Sequence, residues 1–249
     1  IVFGDWSSDV CSSDLKKIVN INRHKFFLVQ ILKAVYGDIV LSNCLGFKGG
    51  TAMMFFYDLP RMSIDLDFNL IIPGKEEIVF EKLRQIILKY GSIHDEAMKF
   101  FGPVIVLDYG VGERKLKVEV SNRQFNDRYE IRDLMGISVR VMVAPDMFAH
   151  KLCALLDREN LATRDIFDCW YFMHKQSPVN KEIIELRTNL PLHEYLGKCI
   201  DYLENMSEKG LLHGIGELMN EEMKKFVRTK LRTETIFLMK FYQQYPILQ

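Results

Sequence analysis

The sequence predicts an α+β protein in which a mixed, mainly antiparallel sheet is flanked by helices and followed by a helical C-terminal region. Between residues 45 and 142, short segments of alternating apolar and polar residues recur, which is typical of half-buried strands. The turn sequence G-V-G-E at residues 110–113 joins two of these segments as a hairpin. After residue 177 the apolar spacing is helical throughout. We therefore expect a core of residues 16–144 and a helical region of residues 145–249.

The composition excludes several classes of protein. The chain has 249 residues, 48% of them hydrophobic and 27% charged, which is enough for a sizeable core and is unlike a disordered protein. Its net charge is zero, so any binding of nucleic acid would depend on a local basic patch. Five scattered cysteines without a C-x-x-C favour free thiols in a reducing compartment. No apolar stretch approaches the roughly 18 residues of a membrane span, and no signal peptide is visible, so we expect a cytoplasmic protein without a membrane partner.

The first elements differ in how well they fit this picture. Residues 1–15 contain S-S-D-V followed by S-S-D-L and no initiating methionine, so we expect a non-native, poorly ordered segment. Apolar spacing over residues 16–36 predicts an amphipathic helix, with His24 on its surface.

The segment from residue 45 to residue 70 organises the rest. A strand ends near Phe47, Gly49 and Gly50 follow it, and a short helical pattern stops at Pro60. Polar residues then alternate with apolar ones, as on a strand with one buried face; they are Arg61, Ser63, Asp65 and Asp67.

These residue types suit phosphoryl transfer. Carboxylates at positions i and i+2 repel each other, and a pair of divalent metal ions would relieve the repulsion and assist transfer of a phosphoryl group. Glycines at the start of a helix let backbone N–H groups approach a phosphate. Taken singly, a Gly-Gly is often only a tight turn and a D-x-D often lies on a solvated strand, but the combination in this order is more specific.

The strands predicted next carry further acidic residues that could bind a metal ion. After a helix at residues 76–90, strands are predicted at residues 94–101, 104–109, 115–121 and 137–142. Glu119 shares one face of its strand with Lys117, and it is either a third metal ligand or a solvent-facing charge. Asp108, on the preceding strand, is the rival for the metal role.

Two helices then carry a lysine and two aspartates. Pro145 opens the first helix, which carries Lys151, and Thr163 is expected to cap the second. Asp165 and Asp168 share a face of the second helix. They could hold Lys151 or Arg158 in place to neutralise a triphosphate, or they could form a salt-bridged helix pair that closes the domain.

The remaining chain is predicted as helices at residues 181–189, 192–206 and 219–242. The last contains a run of cations with residues 224, 228 and 232 on one face, which is either a solvated surface or a contact for an RNA backbone. The run consists of Lys224, Lys225, Arg228, Lys230 and Arg232.

The motifs together resemble those of a known family. K-G-G-T-A at residues 48–52 and R-x-S-x-D-L-D at residues 61–67 are similar to the first motif of the AbiEii/AbiGii-type nucleotidyltransferases, toxins of the DNA polymerase β-like superfamily. The later K…R…R-D-x-x-D pattern resembles the second half of their signature, and the resemblance implies a polymerase β-like fold for residues 16–144. It further implies these roles: two Mg²⁺ ions on Asp65, Asp67 and Glu119; a triphosphate cradle of Gly49, Gly50 and Thr51; nucleotide contacts from Lys48, Arg61, Ser63 and Arg158; and catalytic roles for Lys151 and for Asp165 or Asp168.

The resemblance also implies a function. An NMP would be transferred from an NTP to an acceptor, plausibly the 3′ end of a tRNA, by a toxin that is paired with a separately encoded antitoxin. Three alternatives stay open: transfer to a small molecule such as an antibiotic, transfer to a protein, and a catalytically silent nucleotide-binding module.

Overall fold

The structure is a computed structural model that describes residues 20–157, 162–207, 211–212, 215–216 and 219–248. Residues 1–15 and Arg158, for which predictions were made above, lie outside the described residues. The elements follow in the order α1 (Ile21–Gly37), α2 (Ile39–Cys44), β1 (Leu45–Lys48), α3 (Gly49–Phe56), β2 (Leu66–Leu70), α4 (Glu76–Ile87), β3 (Ser92–Lys99), β4 (Gly102–Asp108), β5 (Leu116–Ser121), β6 (Tyr129–Leu134), β7 (Ile137–Met142), α5 (Ala144–Asp157), α6 (Thr163–His174), α7 (Lys181–Thr188), α8 (Leu192–Asn205), α9 (Glu221–Thr229) and α10 (Leu231–Gln244).

The strands of the described residues form one seven-stranded sheet in the order β3-β4-β5-β2-β1-β7-β6. β1 runs parallel to β7 and β2 parallel to β5, whereas the other four neighbouring pairs are antiparallel. The predicted α+β class and the mixed, mainly antiparallel sheet are therefore confirmed.

Helices cover the sheet and continue past it. α1 packs against α2, α4 and β7, and α4 packs against β3 and β4. Among the C-terminal helices, α5 packs against α6 and α7, while α10 packs against α6 and α8. Buried side chains form one continuous hydrophobic cluster from Leu28 in α1 to Tyr242 in α10, so the sheet and the C-terminal helices share a core. In the part of the chain that the structure describes, no helix is long and apolar enough to cross a membrane.

Two strand predictions need correction. β2 begins at Leu66, so residues 61–65 are not part of a strand, although Asp65 and Asp67 remain less buried than the apolar residues between them, as the alternation predicts. β6 (Tyr129–Leu134) was not predicted. It lies at the edge of the sheet and none of its residues is fully buried, so it lacks the apolar face that reveals a strand in a sequence.

Three helix predictions also differ from the structure. His24 is fully buried in α1 and does not lie on its surface. Ala162 is the N-cap of α6, and Thr163 is the first helical residue. The predicted helix at residues 219–242 is interrupted at Lys230, which ends α9 and precedes α10. Arg232 therefore belongs to a different helix from Lys224 and does not extend its face.

Candidate active site

A cleft of about 470 Å³ opens between the sheet and helices α3, α5 and α6. Most of the residues predicted for the site line it: Lys48, Gly49, Gly50, Arg61, Ser63, Asp65, Asp67, Glu119, Lys151 and Asp165. Thr51 and Asp168 are fully buried behind its wall. The fold thus brings together residues that are more than a hundred positions apart in the sequence.

Strand pairing sets three charged residues abreast. Asp67 in β2 is paired in register with Lys48 in β1 on one side and with Glu119 in β5 on the other. Side chains of directly opposite residues lie on the same face of a sheet. Lys48, Asp67 and Glu119 therefore form a row on the sheet face that lines the cleft.

Both glycines are required by close approach of side chains. Gly49 has a positive φ of 79°, and a Cβ atom there would lie 2.5 Å from Oδ2 of Asp67. A Cβ atom at Gly50 would lie 2.6 Å from Oγ of Ser63. The Gly-Gly is thus more than a turn, because it lets the start of α3 lie directly against the segment that carries the acids.

The N-terminus of α3 faces the cleft. Its N-cap residue, Lys48, makes no side-chain hydrogen bond to the first turn, and Gly49 and Gly50 line the cleft. N–H groups in the first turn of a helix have no intrahelical partner and carry a partial positive charge. This end of α3 is therefore suited to an anion.

Two hydrogen bonds hold the backbone at Asp65. The imidazole of His24 donates from Nε2 to the carbonyl oxygen of Ile64 at 2.8 Å, and its Nδ1 lies 2.6 Å from the hydroxyl of Tyr109. The hydroxyl of Thr51 donates to the carbonyl oxygen of Asp65 at 2.5 Å. The hydroxyl of Thr51, which the resemblance places in the phosphate cradle, is thus engaged inside the protein and positions the backbone at Asp65.

The environment of the two aspartates disfavours two negative charges. Burial raises the pKa of Asp65, and nearby cations, Lys117 and Arg164 among them, only partly offset this. Burial also raises the pKa of Asp67, and the charge of Asp65 raises it further. A bound cation would relieve both effects.

Glu119 already has a cationic partner. Burial alone would raise its pKa, but the ammonium of Lys117, at 2.6 Å, more than offsets this, and the pKa of Glu119 is lowered. Glu119 lines the cleft, as a metal ligand there would, and it is also paired with Lys117. The structure does not bring Asp108, its rival, to the cleft lining.

Within the described residues, no group of three or more His, Cys, Asp or Glu side chains is arranged as a complete metal site. The carboxylates of Asp65 and Asp67 nevertheless fit Mg²⁺, which is usually held by one or two carboxylates together with waters and the phosphates of a substrate. Burial first, and neighbouring carboxylates second, raise the pKa values of both acids, and a bound cation would offset both causes.

Two cations and two acids form a buried network in the wall of the cleft. Nζ of Lys151 lies 3.0 Å from Oδ1 of Asp165 and 2.7 Å from Oδ2 of Asp168. Nε and a terminal N–H group of Arg61 donate to the two oxygens of Asp168, both at 2.7 Å. Burial lowers the pKa of Lys151, but the two aspartates outweigh it, so the pKa is raised and the ammonium stays charged. Asp168 thus joins the segment before β2 to α5 and α6, and Arg61 has a structural partner that the sequence did not reveal.

A hydrogen-bonded chain of side chains at another wall of the cleft was not predicted from the sequence. Arg187 in α7 donates to Nδ1 of His150 at 2.7 Å, and Nε2 of His150 donates to Oδ1 of Asp127 at 2.6 Å. Asn69, two positions after Asp67, donates to Oδ2 of Asp127 at 2.6 Å. Burial lowers the pKa of His150, which agrees with a neutral ring between a donor and an acceptor. Nothing in the sequence shows that these residues meet, because they lie on elements far apart in the chain.

The basic run in α9 and α10 does not line the cleft. Lys224 is paired with Glu221 at 2.6 Å, and Arg232 donates to the carbonyl oxygens of Leu203 and Glu204 at the end of α8. These two cations therefore have structural partners, whereas Lys225 is exposed.

Comparison with known proteins agrees with the fold. The crystal structure of a candidate nucleotidyltransferase from H. pylori is 21% identical, with a TM-score of 0.52, and the match covers 90% of this chain and 97% of that one. The crystal structure of JHP933 from Helicobacter pylori is 20% identical, with a TM-score of 0.51, over 90% of this chain and 94% of that one. No curated protein matches the sequence. The sequence model of the family described as "Nucleotidyl transferase AbiEii toxin, Type IV TA system" matches residues 30–225. The chain therefore belongs to the AbiEii family of nucleotidyl transferase toxins and is a nucleotidyltransferase.

Proposed function

We propose that this enzyme transfers an NMP from an NTP to an RNA acceptor, the 3′ end of a tRNA, with two Mg²⁺ ions as cofactors. It acts in the cytoplasm as the toxin of a pair whose antitoxin is encoded separately. Membership of a type IV toxin–antitoxin family supports the pairing with an antitoxin. The acceptor, the metal and the compartment are our own inference from the site and from the resemblance of its motifs.

One observation carries the proposal: Asp65 and Asp67 lie opposite the uncapped N-terminus of α3, across the two glycines. The helix end suits the phosphates of an NTP, and the two carboxylates suit the metal ions that accompany such phosphates. An anion site and a cation site in one cleft are the parts that phosphoryl transfer requires.

Asp65 and Asp67 would hold the Mg²⁺ ions, and Glu119 would join them once Lys117 moves aside. Bound there, the ions would activate the acceptor hydroxyl and stabilise the negative charge on the leaving pyrophosphate. In the structure, Lys117 is the counter-ion of Glu119.

The reaction is a substitution at the α-phosphorus. The oxygen of the acceptor hydroxyl forms a bond to phosphorus, its proton is released to solvent, and the bond to the bridging oxygen breaks so that pyrophosphate leaves with the electron pair. The chain's own groups orient the reactants: N–H groups of Gly49 and Gly50 bind the phosphates, while His24 and Thr51 fix the backbone at Asp65. Lys151 uses two of its three N–H groups on Asp165 and Asp168, which leaves one for a phosphate oxygen.

The test is a labelling experiment. The protein is incubated with each α-labelled NTP, Mg²⁺ and total RNA in the presence and absence of cell lysate, and the labelled species are separated by size. We expect label in RNA of tRNA length, lost in Asp65→Asn and Asp67→Asn and retained in the matched variant Asp95→Asn, whose carboxylate is exposed on β3. Label in protein or in a small molecule would overturn the RNA acceptor, and no label in any fraction would favour a silent nucleotide-binding module.

A further inference from the structure

Two adjacent phenylalanines are exposed at the tip of the β3–β4 hairpin. Phe100 is 89% exposed and Phe101 is 51% exposed, and their ring centroids are 4.9 Å apart at an interplanar angle of 80°. Single exposed apolar residues are common, but two neighbouring aromatic rings in solvent are a typical sign of a contact surface.

The tip is held against the end of β5. The backbone N–H of Asn122 donates to the carbonyl oxygen of Phe101 at 3.0 Å. Gly102 has a positive φ of 111°, and a Cβ atom there would lie 2.3 Å from the carbonyl oxygen of Val120. The glycine therefore lets the tip pack closely on β5, so the two rings are presented from a defined position.

A cation links the rings to the cleft. The guanidinium carbon of Arg123 lies 4.9 Å from the ring centroid of Phe101, and Arg123 itself lines the cleft together with Ser121 and Glu119. Lys99, which is exposed next to Phe100, adds a second cation at the tip. Arg123 thus lies between the ring of Phe101 and the candidate active site.

This combination favours one class of ligand. Proteins that bind single-stranded nucleic acid stack bases on aromatic side chains and neutralise the backbone with Lys and Arg. An apolar protein contact would not require the two cations or the position of Arg123 at the cleft. A double helix would not offer unstacked bases to the rings.

We propose that Phe100 and Phe101, with Lys99 and Arg123, form a platform on which the single-stranded 3′ end of the RNA acceptor stacks before it enters the cleft. This inference rests on the proposed function, since it concerns the acceptor of the same site. It assigns to the hairpin the RNA contact that the sequence suggested for the basic run in α9 and α10.

The first test measures binding without chemistry. A labelled single-stranded RNA of about ten nucleotides that ends in C-C-A is titrated with protein in the absence of NTP, and the Kd is read from fluorescence anisotropy. We expect Phe100→Ala/Phe101→Ala to raise the Kd on the order of 10- to 100-fold, as the loss of stacked bases does in other proteins. The matched control is Phe237→Ala, which removes a ring that is 71% exposed on α10 and should leave the Kd unchanged.

A second variant separates stacking from apolar contact. Phe100→Leu/Phe101→Leu keeps apolar side chains at the tip but removes the aromatic faces, so we expect it to weaken binding of the single strand almost as much as alanine. A blunt duplex of the same sequence should bind all variants equally. Equal affinity of wild type and both double variants for the single strand would overturn the platform. So would a change in self-association, seen in sedimentation velocity, with unchanged RNA affinity, because the rings would then be a contact between copies of the chain.

The outcome is distinguishable from failure of the proposed function. If wild-type protein labels no RNA with any NTP, the transfer reaction is contradicted, whereas the binding titration still reports on the platform. If transfer to RNA occurs and the alanine double variant performs it with unchanged KM for RNA, the platform alone is overturned.

Discussion

Replacing Lys151 by Met tests the buried network most directly. The substitution keeps the aliphatic stem and removes an ammonium that is bonded to two fully buried carboxylates, Asp165 at 3.0 Å and Asp168 at 2.7 Å. Breaking a buried pair from one side costs about 3–5 kcal/mol, because the remaining charge stays buried. Arg61 still donates two hydrogen bonds to Asp168, so we expect a loss of stability below this range, about 2–3 kcal/mol.

This loss should appear as a lower melting temperature. A chain of this length loses about 2–4 °C for each kcal/mol, so we expect the melting temperature to decrease by about 4–12 °C in thermal unfolding. If Lys151 also contacts a phosphate, kcat/KM for the NTP should fall on the order of 100-fold, measured well below the melting temperature of the variant. Lys151→Arg, which keeps a cation at the same position, is the matched control and should retain more of both properties.

The double variant Lys151→Met/Asp165→Asn separates the two effects. Replacing Asp165 removes one of the carboxylates that lose the ammonium, so part of the lost stability should return. Turnover should not return, because the cation is still missing. Recovery of turnover together with stability would refute the phosphate contact, and an unchanged melting temperature in the single variant would refute the buried network.

Three further changes have defined outcomes. Asp67→Asn should abolish transfer and raise the melting temperature in metal-free buffer, because burial and Asp65 raise the pKa of Asp67 and so penalise its charged form. The increase should be about 2–4 °C for each kcal/mol of this penalty that is removed. Mg²⁺ with a non-hydrolysable NTP analogue should stabilise the wild type more than the variant, and equal stabilisation would contradict the metal role. Gly49→Ala should lower the rate of transfer on the order of 100-fold, since the new Cβ atom would lie 2.5 Å from Oδ2 of Asp67. The matched control is Gly74→Ala: Gly74 has a similar positive φ of 77° but no atom within 4 Å of a Cβ there, so this variant should show only the cost of backbone strain. Equal activity of the two variants would contradict the close-approach argument. Burial lowers the pKa of His24 below its ordinary 6.5, so on acidification the unfolded chain takes up a proton there before the folded chain does. The contribution of His24 to stability is therefore complete above about pH 6.5, and as the pH decreases from there the free energy of unfolding should decrease by up to about 1.4 kcal/mol per pH unit. In urea unfolding between pH 5 and pH 8, His24→Gln should remove this share of the pH dependence, whereas His94→Gln, at an exposed position, should not.

Local patterns in the sequence predict the elements that have strong periodicity or glycine. The glycine pair follows β1, as the sequence predicts, and Asp67 and Glu119, each on the polar face of its predicted strand, are paired in register. β6 could not be predicted in this way, because an edge strand with polar residues on both faces shows no periodic spacing of apolar residues. The break between α9 and α10 at Lys230 could not be predicted either, since neither glycine nor proline marks the position.

Roles that depend on distant partners could not be predicted. The partner of His24 is a carbonyl group 40 positions away, and the partner of Arg61 is a carboxylate 107 positions away. From the sequence, a structural and a catalytic role for Lys151 are alternatives. The structure shows that the structural contacts exist in either case, so stability and turnover must be measured separately.

The register of the strands has a consequence for changes in chain length. Phe47 is paired with Phe68 and Leu66 with Val118, and these buried contacts fix Lys48, Asp67 and Glu119 side by side. Inserting or deleting one residue within β1, β2 or β5 would turn the charged row into the core and the apolar row into the cleft. The connection from β2 to β5 contains β4, which is itself paired in register with β5. The loops outside the helices and strands carry no such alternation, except for the glycines and the segment from residue 61 to residue 65. A change of length in one of these loops therefore leaves the charged row in place, whereas a change of one residue within the three strands does not.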